Sequence, residues 1–230
     1  MKIITSTYSV AGRCSSTGAL GAIVTSSSPA VGARCAWVKT ATGVILSQNI
    51  TDPRLADIGM VALEKGFDAR FALEAMKAAS PFPEHRQLAA VDADGGSCAF
   101  TGQKALGTHS DFCSDGVTCV GNLLSDAAIP EAMARHFSTE TSLALPERLI
   151  SAIEVGFQMG GEMDQERSIA LLVHTADVPF AYVNLRVDYS DNPLEDLKRL
   201  WDVYQPQAED YKSRALDPEQ APTFGVKGDE

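Results

Sequence analysis

A chain of 230 residues can bury one sizeable core, and its 45% hydrophobic and 21% charged composition excludes a disordered or fibrous protein. The formal charge of −11 repels a phosphate backbone and so argues against general nucleic-acid binding. No apolar run approaches the roughly 18 residues that would suggest a membrane-spanning helix, so no membrane partner is expected.

The first fifty residues read as strands and turns. Thr7–Gly12 and Ala19–Thr25 are separated by a turn over 14–18, and Ala36–Lys39 is joined to Gly43–Gln48 by Thr40-Ala41-Thr42. Gly, Ala and Ser are abundant there, which lets backbones approach closely or leaves room for a ligand. The apolar period then lengthens to that of helices. Leu55–Lys65 carries a broad stripe closed by Gly66, and a second helix starts from Asp68 as N-cap and stops before Pro81.

Strands resume at Gln87–Val91 and Ser97–Thr101 around an Asp94-Gly95 turn, a hairpin signal. Residues 102–122 read as one long polar loop, of a length that is often functional. Ile129, Met133 and Phe137 mark a third helix, with Glu131 and Arg135 spaced for an ion pair. A fourth opens at Pro146 and stops at Gly160-Gly161. Strands at Ile169–Val173 and Tyr182–Asp188 and a helix from Pro193 to about Tyr204 follow. Residues 1–205 are expected to form a single domain, and 206–230 a polar, loosely held tail. Helices that come in pairs argue against a doubly wound parallel sheet. The economical α+β arrangement is a four-layer α/β/β/α sandwich, two mostly antiparallel sheets between helical layers.

The five cysteines are an odd number with no zinc spacing, and Met1–Thr7 is too polar and short for a signal peptide's hydrophobic region. Reduced thiols in a cytoplasmic protein are the expectation. Residues 1–51 hold Lys2, Arg13, Arg34 and Lys39 and no carboxylate. A site formed there would favour an anionic group; alternatively the cations sit at strand ends.

Several short pieces together resemble the uncharacterised bacterial family known as domain of unknown function 1028. They include Thr7-Tyr8-Ser9-Val10-Ala11, Gly18-Ala19-Leu20-Gly21-Ala22, Asp52-Pro53, Phe100-Thr101-Gly102, Val120-Gly121-Asn122-Leu123-Leu124, Ser168-Ile169-Ala170-Leu171-Leu172-Val173 and Asn192-Pro193-Leu194. The resemblance implies the fold of the N-terminal-nucleophile hydrolases. In that superfamily a Thr, Ser or Cys opening the first strand attacks a carbonyl, with its freed α-amine as base. Departures are Asp52 where the family has Asn before Pro53, Arg167 where members tend to carry Gln, and six residues before Thr7.

Thr7 is the candidate nucleophile; the alternative is an ordinary strand hydroxyl. Lys39 lies thirty-two residues later, a spacing that resembles the nucleophile-to-lysine separation of threonine-type members. Desolvated beside the hydroxyl it would help deprotonate it, and otherwise it is a solvated strand-end lysine. His109, close in sequence to Asp111 and Asp115, offers an acid–base group. Gly121 and Asn122 offer donors to an oxyanion, unless Asn122 caps the next helix. Arg34, Ser9, Gly121 and Asp111 are candidate substrate contacts. No metal set, phosphate loop or dinucleotide fingerprint occurs, so no cofactor is expected.

These readings converge on a hydrolase of the C–N bond of small carboxylated amides, with a catalytically silent small-molecule binding protein of the same fold as the alternative. The pocket is expected at the ends of the first and third strands, floored by Thr7 and Lys39 and roofed by residues 102–122. Asp92 or Asp188 could instead neutralise Lys39 and Arg34. The apolar, alanine-rich helix pairs suggest a homodimer.

Overall fold

The structure, a computed structural model, describes residues 6–223 and 225. Met1–Thr5, including Lys2, lie outside the described residues. Among the described residues, ten strands form two antiparallel sheets. The larger contains β1 (Thr7–Arg13), β2 (Leu20–Ser26), β7 (Ser110–Ser114), β8 (Val117–Asn122), β9 (Ser168–His174) and β10 (Val183–Val187), ordered β10-β9-β2-β1-β8-β7. The smaller contains β3 (Ala36–Lys39), β4 (Gly43–Asn49), β5 (Arg86–Asp92) and β6 (Ser97–Thr101), in sequential order.

Three apolar cores make the layering explicit. Between the sheets lie Ala11, Ala22, Val24, Val44, Leu46, Ala89, Val91, Val120 and Ala170. The small inward side chains of Ala11, Ala22, Ala89 and Ala170 let the two sheets approach closely. The outer face of the large sheet packs through Tyr8, Val10, Ile23 and Leu171 on α3 (Ile129–Thr139), α4 (Leu145–Gln158) and α5 (Pro193–Tyr204). The small sheet's outer face, with Ile45, Leu88 and Ala90, packs on α1 (Arg54–Glu64) and α2 (Ala69–Ala79). This is the expected four-layer α/β/β/α sandwich. Glycines set the closeness of the contact: a Cβ on Gly12 would sit 2.4 Å from the Phe137 ring, and one on Gly21 2.8 Å from Leu149.

Local rules account for the element ends. The Asp68 carboxylate accepts from the Phe71 N–H at 2.8 Å and starts α2. Glu131 and Arg135 pair along α3 at 2.6 Å. Two expectations fail. Residues 102–122 are not one loop, because 110–122 form the β7–β8 hairpin around Asp115-Gly116, with Gly116 at φ +70°. The polar stretch after Pro206 continues as α6 (Ala208–Leu216), anchored by buried Ala208 and by a Lys212–Asp177 ion pair at 2.5 Å. No helix among the described residues is long and apolar enough to cross a membrane.

Candidate functional site

Thr7 opens β1 in the middle of the large sheet, and its partner in register on β8 is Asn122. The Thr7 carbonyl is gripped by a buried set of amides between the sheets. Gln48 Nε2 and Asn122 Nδ2 each donate to it at 3.2 Å, and both also donate to Gln87 Oε1, at 2.9 and 3.2 Å. Ser9 donates to Gln48 Oε1 at 2.6 Å. These four side chains, Ser9, Gln48, Gln87 and Asn122, are fully buried. In a low-dielectric interior such a network, complete except for the unpartnered Asn122 Oδ1, fixes one geometry, here the direction in which β1 begins.

The Thr7 hydroxyl faces the other way, towards a cluster of serines. It donates to the Ser6 carbonyl at 2.6 Å and lies 3.4 Å from Ser26 Oγ. Ser26 Oγ also donates to the Ser6 carbonyl and stands 2.6 Å from Ser28 Oγ, which accepts from the Arg34 guanidinium. If each hydroxyl donates once, a single chain runs from Arg34 through Ser28 and Ser26 to the Ser6 carbonyl. A cation at its head polarises every bond in it. Arg34 also donates to the Pro29 carbonyl and makes no ion pair among the described residues.

Two buried carboxyls close the site. Ser6 Oγ and the Ser27 N–H both donate to Glu162 Oε2, the latter at 2.7 Å, while buried Glu162 Oε1 has no hydrogen-bond partner. Burial, outweighing the hydrogen bonds of Ser6 and Ser27 and helped by nearby Glu166, raises the Glu162 pKa to about 8. Glu166 Oε1 accepts from Tyr8 at 3.1 Å and from the Glu162 N–H at 3.0 Å. Burial first, and then the Glu166 and Glu162 charges, holds the Tyr8 phenol well above its usual range.

The expected residues are only partly brought together. Lys39 is not beside Thr7: it pairs in register with Gly43 at one end of β4, whereas the Thr7 carbonyl meets Gln48 at the other. At ~3.3 Å per strand residue the two ends are about 15–20 Å apart. Lys39 is instead an exposed lysine paired with Glu64. Arg34, at the start of the β3 segment, is the cation that reaches the Thr7 neighbourhood.

The remaining candidates have their own partners. His109 Nδ1 lies 2.8 Å from the Gly107 carbonyl, and Asp111 accepts from Thr101 at 2.6 Å, so they do not form an acid–base pair. Asp115 sits in the β7–β8 turn, at the far end of β7 from His109. The Gly121 carbonyl accepts from Gln87 at 3.0 Å, and Asn122 lies inside the sandwich, neither roofing a pocket nor capping a helix. Asp92 accepts from the Gly96 N–H in its own turn and from the Ala69 N–H at the start of α2, and Asp188 pairs with Arg186 at 2.8 Å, so neither neutralises Lys39 or Arg34. Sequence reasoning missed Ser6, Ser26, Ser28, Glu162 and Glu166. The Thr25-Ser26-Ser27-Ser28 run was the available signal.

Residues 7–197 match the profile of a family of unknown function, DUF1028. The crystal structure of protein SPO2555 from Silicibacter pomeroyi, a DUF1028 member, superposes with a TM-score of 0.80 at 27% identity, covering 87% of this chain and 89% of that one. Two weaker likenesses are to Anbu proteins. The Gly-1 mutant from Hyphomicrobium sp. strain MC1 gives a TM-score of 0.43 at 12% identity, over 90% of this chain and 99% of that one. The ancestral beta-subunit from Yersinia bercovieri gives 0.41 at 9%, over 95% and 100%. No curated protein matches this sequence.

Proposed function

The chain belongs to the DUF1028 family of unknown function, and from that premise we propose a hydrolase of C–N bonds in small carboxylated amides, its Thr7 nucleophile latent while the Ser6–Thr7 peptide bond is intact. The observation that carries this reading is the pair of hydroxyls, Thr7 and Ser26, directed at the Ser6 carbonyl. Ser26, polarised through Ser28 by Arg34, is placed to stabilise negative charge on that oxygen. Addition of Thr7 Oγ1 to the Ser6 carbonyl carbon, with its proton passing to the departing Thr7 nitrogen, converts the amide to an ester. Water then cleaves the ester, leaving a Ser6 carboxylate and a free Thr7 amine that serves as the base for the same hydroxyl.

Departure of Ser6 would vacate a space bounded by Glu162, Ser26, Ser27 and Ser28. Arg34, which has no acidic partner among the described residues, would receive the substrate carboxylate there, a role expected for Lys39 as well from the sequence. Intact mass spectrometry of the purified full chain tests the first step, with the Thr7→Ala variant as control. The expected result is loss of residues 1–6 from the unsubstituted protein only, followed by turnover of carboxylated amides about tenfold faster than neutral ones. Persistence of the full-length mass together with no amide turnover would overturn the reading.

One observation favours a catalytically silent binding protein instead: Thr7 is only 4% exposed, held between β2 and β8. The same mass measurement separates the two. The homodimer belongs to the proposal too, because Ile58, Val61, Phe67 and Phe71 remain exposed on α1, α2 and the turn between them. Sedimentation at micromolar concentration giving only a 24.5 kDa species would remove it.

A further inference from the structure

The opposite end of β1 holds a cavity of about 400 Å³, where the turns after β1, β5 and β7 meet. The turns are tied together by main-chain bonds from the Arg13 N–H to the Gly116 carbonyl and from the Gly116 N–H to the Gly95 carbonyl, both 2.8 Å. Four charged side chains line the cavity: Arg13, Arg148, Asp94 and Asp115. Two are positive and two negative, yet none forms an ion pair among the described residues. Arg148 is 7% exposed. Its Nε donates to the Phe137 carbonyl, and its guanidinium lies 3.8 Å from the centre of the Phe137 ring, leaving its terminal nitrogens uncommitted. Arg13 Nε is buried without a hydrogen-bond partner. Asp94 and Asp115 are exposed, so the cations lie deeper and the carboxylates nearer solvent.

A guanidinium as buried as that of Arg148, beside a half-buried Arg13 whose Nε lacks a partner and with no carboxylate among the described residues paired to either, is costly unless an anion reaches it. Opposite charges held apart in one cavity fit a ligand that bridges them better than they fit one another. We propose that this cavity binds a small zwitterion of the α-amino-acid class, its carboxylate inward on Arg13 and Arg148 and its ammonium outward on Asp94 and Asp115. A purely anionic ligand would meet the guanidiniums but also the two carboxylates at the mouth. The volume suits a single small molecule. The site is separate from the Thr7 site, six residues along β1 and about 20 Å away.

Calorimetric titration of the full-length Thr7→Ala protein with each of the twenty proteinogenic amino acids tests this independently of the Thr7 reading. For the tightest binder, its des-amino carboxylic acid and its decarboxylated amine are titrated alongside inorganic phosphate. The expected outcome is saturable binding of at least one amino acid, with both single-charge analogues and phosphate about tenfold weaker or worse. Arg13→Gln should weaken the amino acid about tenfold. Asp94→Asn with Asp115→Asn should weaken the amino acid and leave the des-amino acid unchanged or improved. The Arg13 side chain makes no hydrogen bond or ion pair among the described residues, so its variant tests recognition and not folding; an unchanged circular-dichroism melting curve verifies this. No saturation by any amino acid below about 10 mM would overturn the proposal, as would phosphate binding as tightly as the best amino acid. Indifference to Arg13→Gln would overturn it as well.

Discussion

Replacing Glu162 by Gln removes a buried carboxyl beside Ser6 and Ser27 while keeping its size. Burial pushes this group from 4.5 to about 8, against the hydrogen bonds of Ser6 and Ser27 and with the help of Glu166. Between those two values the folded state holds a proton that the unfolded chain has released. Stability associated with Glu162 is therefore fully present below about pH 4.5 and falls as pH rises towards 8. The interval, at about 1.4 kcal/mol per pH unit, sets a ceiling of about 5 kcal/mol. Relaxation and water entry around an ionised carboxylate lower that figure, and about 2–3 kcal/mol is the expected loss. Urea unfolding of the full chain at pH 5, 6.5 and 8, followed by tryptophan fluorescence, reads it directly. Glutamine cannot titrate, so the difference between native protein and Glu162→Gln isolates this one group. That difference should shift steadily in favour of the variant as pH rises. If the two stability profiles stay parallel from pH 5 to 8, Glu162 is ionised throughout and the reasoning is refuted.

Other substitutions read other parts of the structure. Lys39→Ala removes an ion pair whose side chains are 54% and 35% exposed; stability measured by urea unfolding should change by less than about 1 kcal/mol, and amide turnover not at all. Gln48→Leu strips partners from Ser9, Gln87 and the Thr7 carbonyl at once, and should cost about 3 kcal/mol in the same assay because buried polar groups are left unpaired. Gly12→Ala drives a Cβ to 2.4 Å from the Phe137 ring; a loss of about 1–3 kcal/mol is expected, partly recovered by Phe137→Leu in the same chain.

The layering was legible because each core announces itself by period. Alternation in Val183, Leu185 and Val187 and the continuous run Ile169–Val173 mark strands exposed on one face or buried on both. The β7–β8 hairpin escaped because Ser110–Ser114 is an edge strand with only Phe112 to suggest a buried face. Yet Asp115-Gly116 is the same turn signal that located β5–β6. The site was legible only as far as Thr7. Which cation meets it depends on how β3 is joined to β2, and a spacing count along the chain cannot see that join. Arg34 reaches back to Ser28 and Pro29 across the short turn at Val31–Ala33, while β3 carries Lys39 away to the far edge. Glu162 and Glu166 come from a segment with no periodic pattern, brought in by the Leu124–Glu162 bridge, and nothing local distinguishes them from solvated acids.

The acid-free opening of the chain acquires a more specific meaning from this geometry. A positively charged cleft is the natural inference from Arg34 and Lys39, in an acid-free opening that also holds Arg13. The fold distributes them instead: Arg34 to the start of β1, Arg13 to its end, and Lys39 to a surface pair with Glu64. Between the ends of β1, Tyr8–Gly12 is buried and would not tolerate an unpaired charge. Both arginines at the strand ends lack acidic partners among the described residues, although the protein as a whole carries a large excess of carboxylates. With acids so plentiful, an unpaired arginine next to a buried carbonyl chain or in a lined cavity is not explained by a shortage of counter-ions. It is explained if each position is kept open for an anionic group that the chain itself does not supply, which is the common premise of the Thr7 site and of the cavity at Arg13.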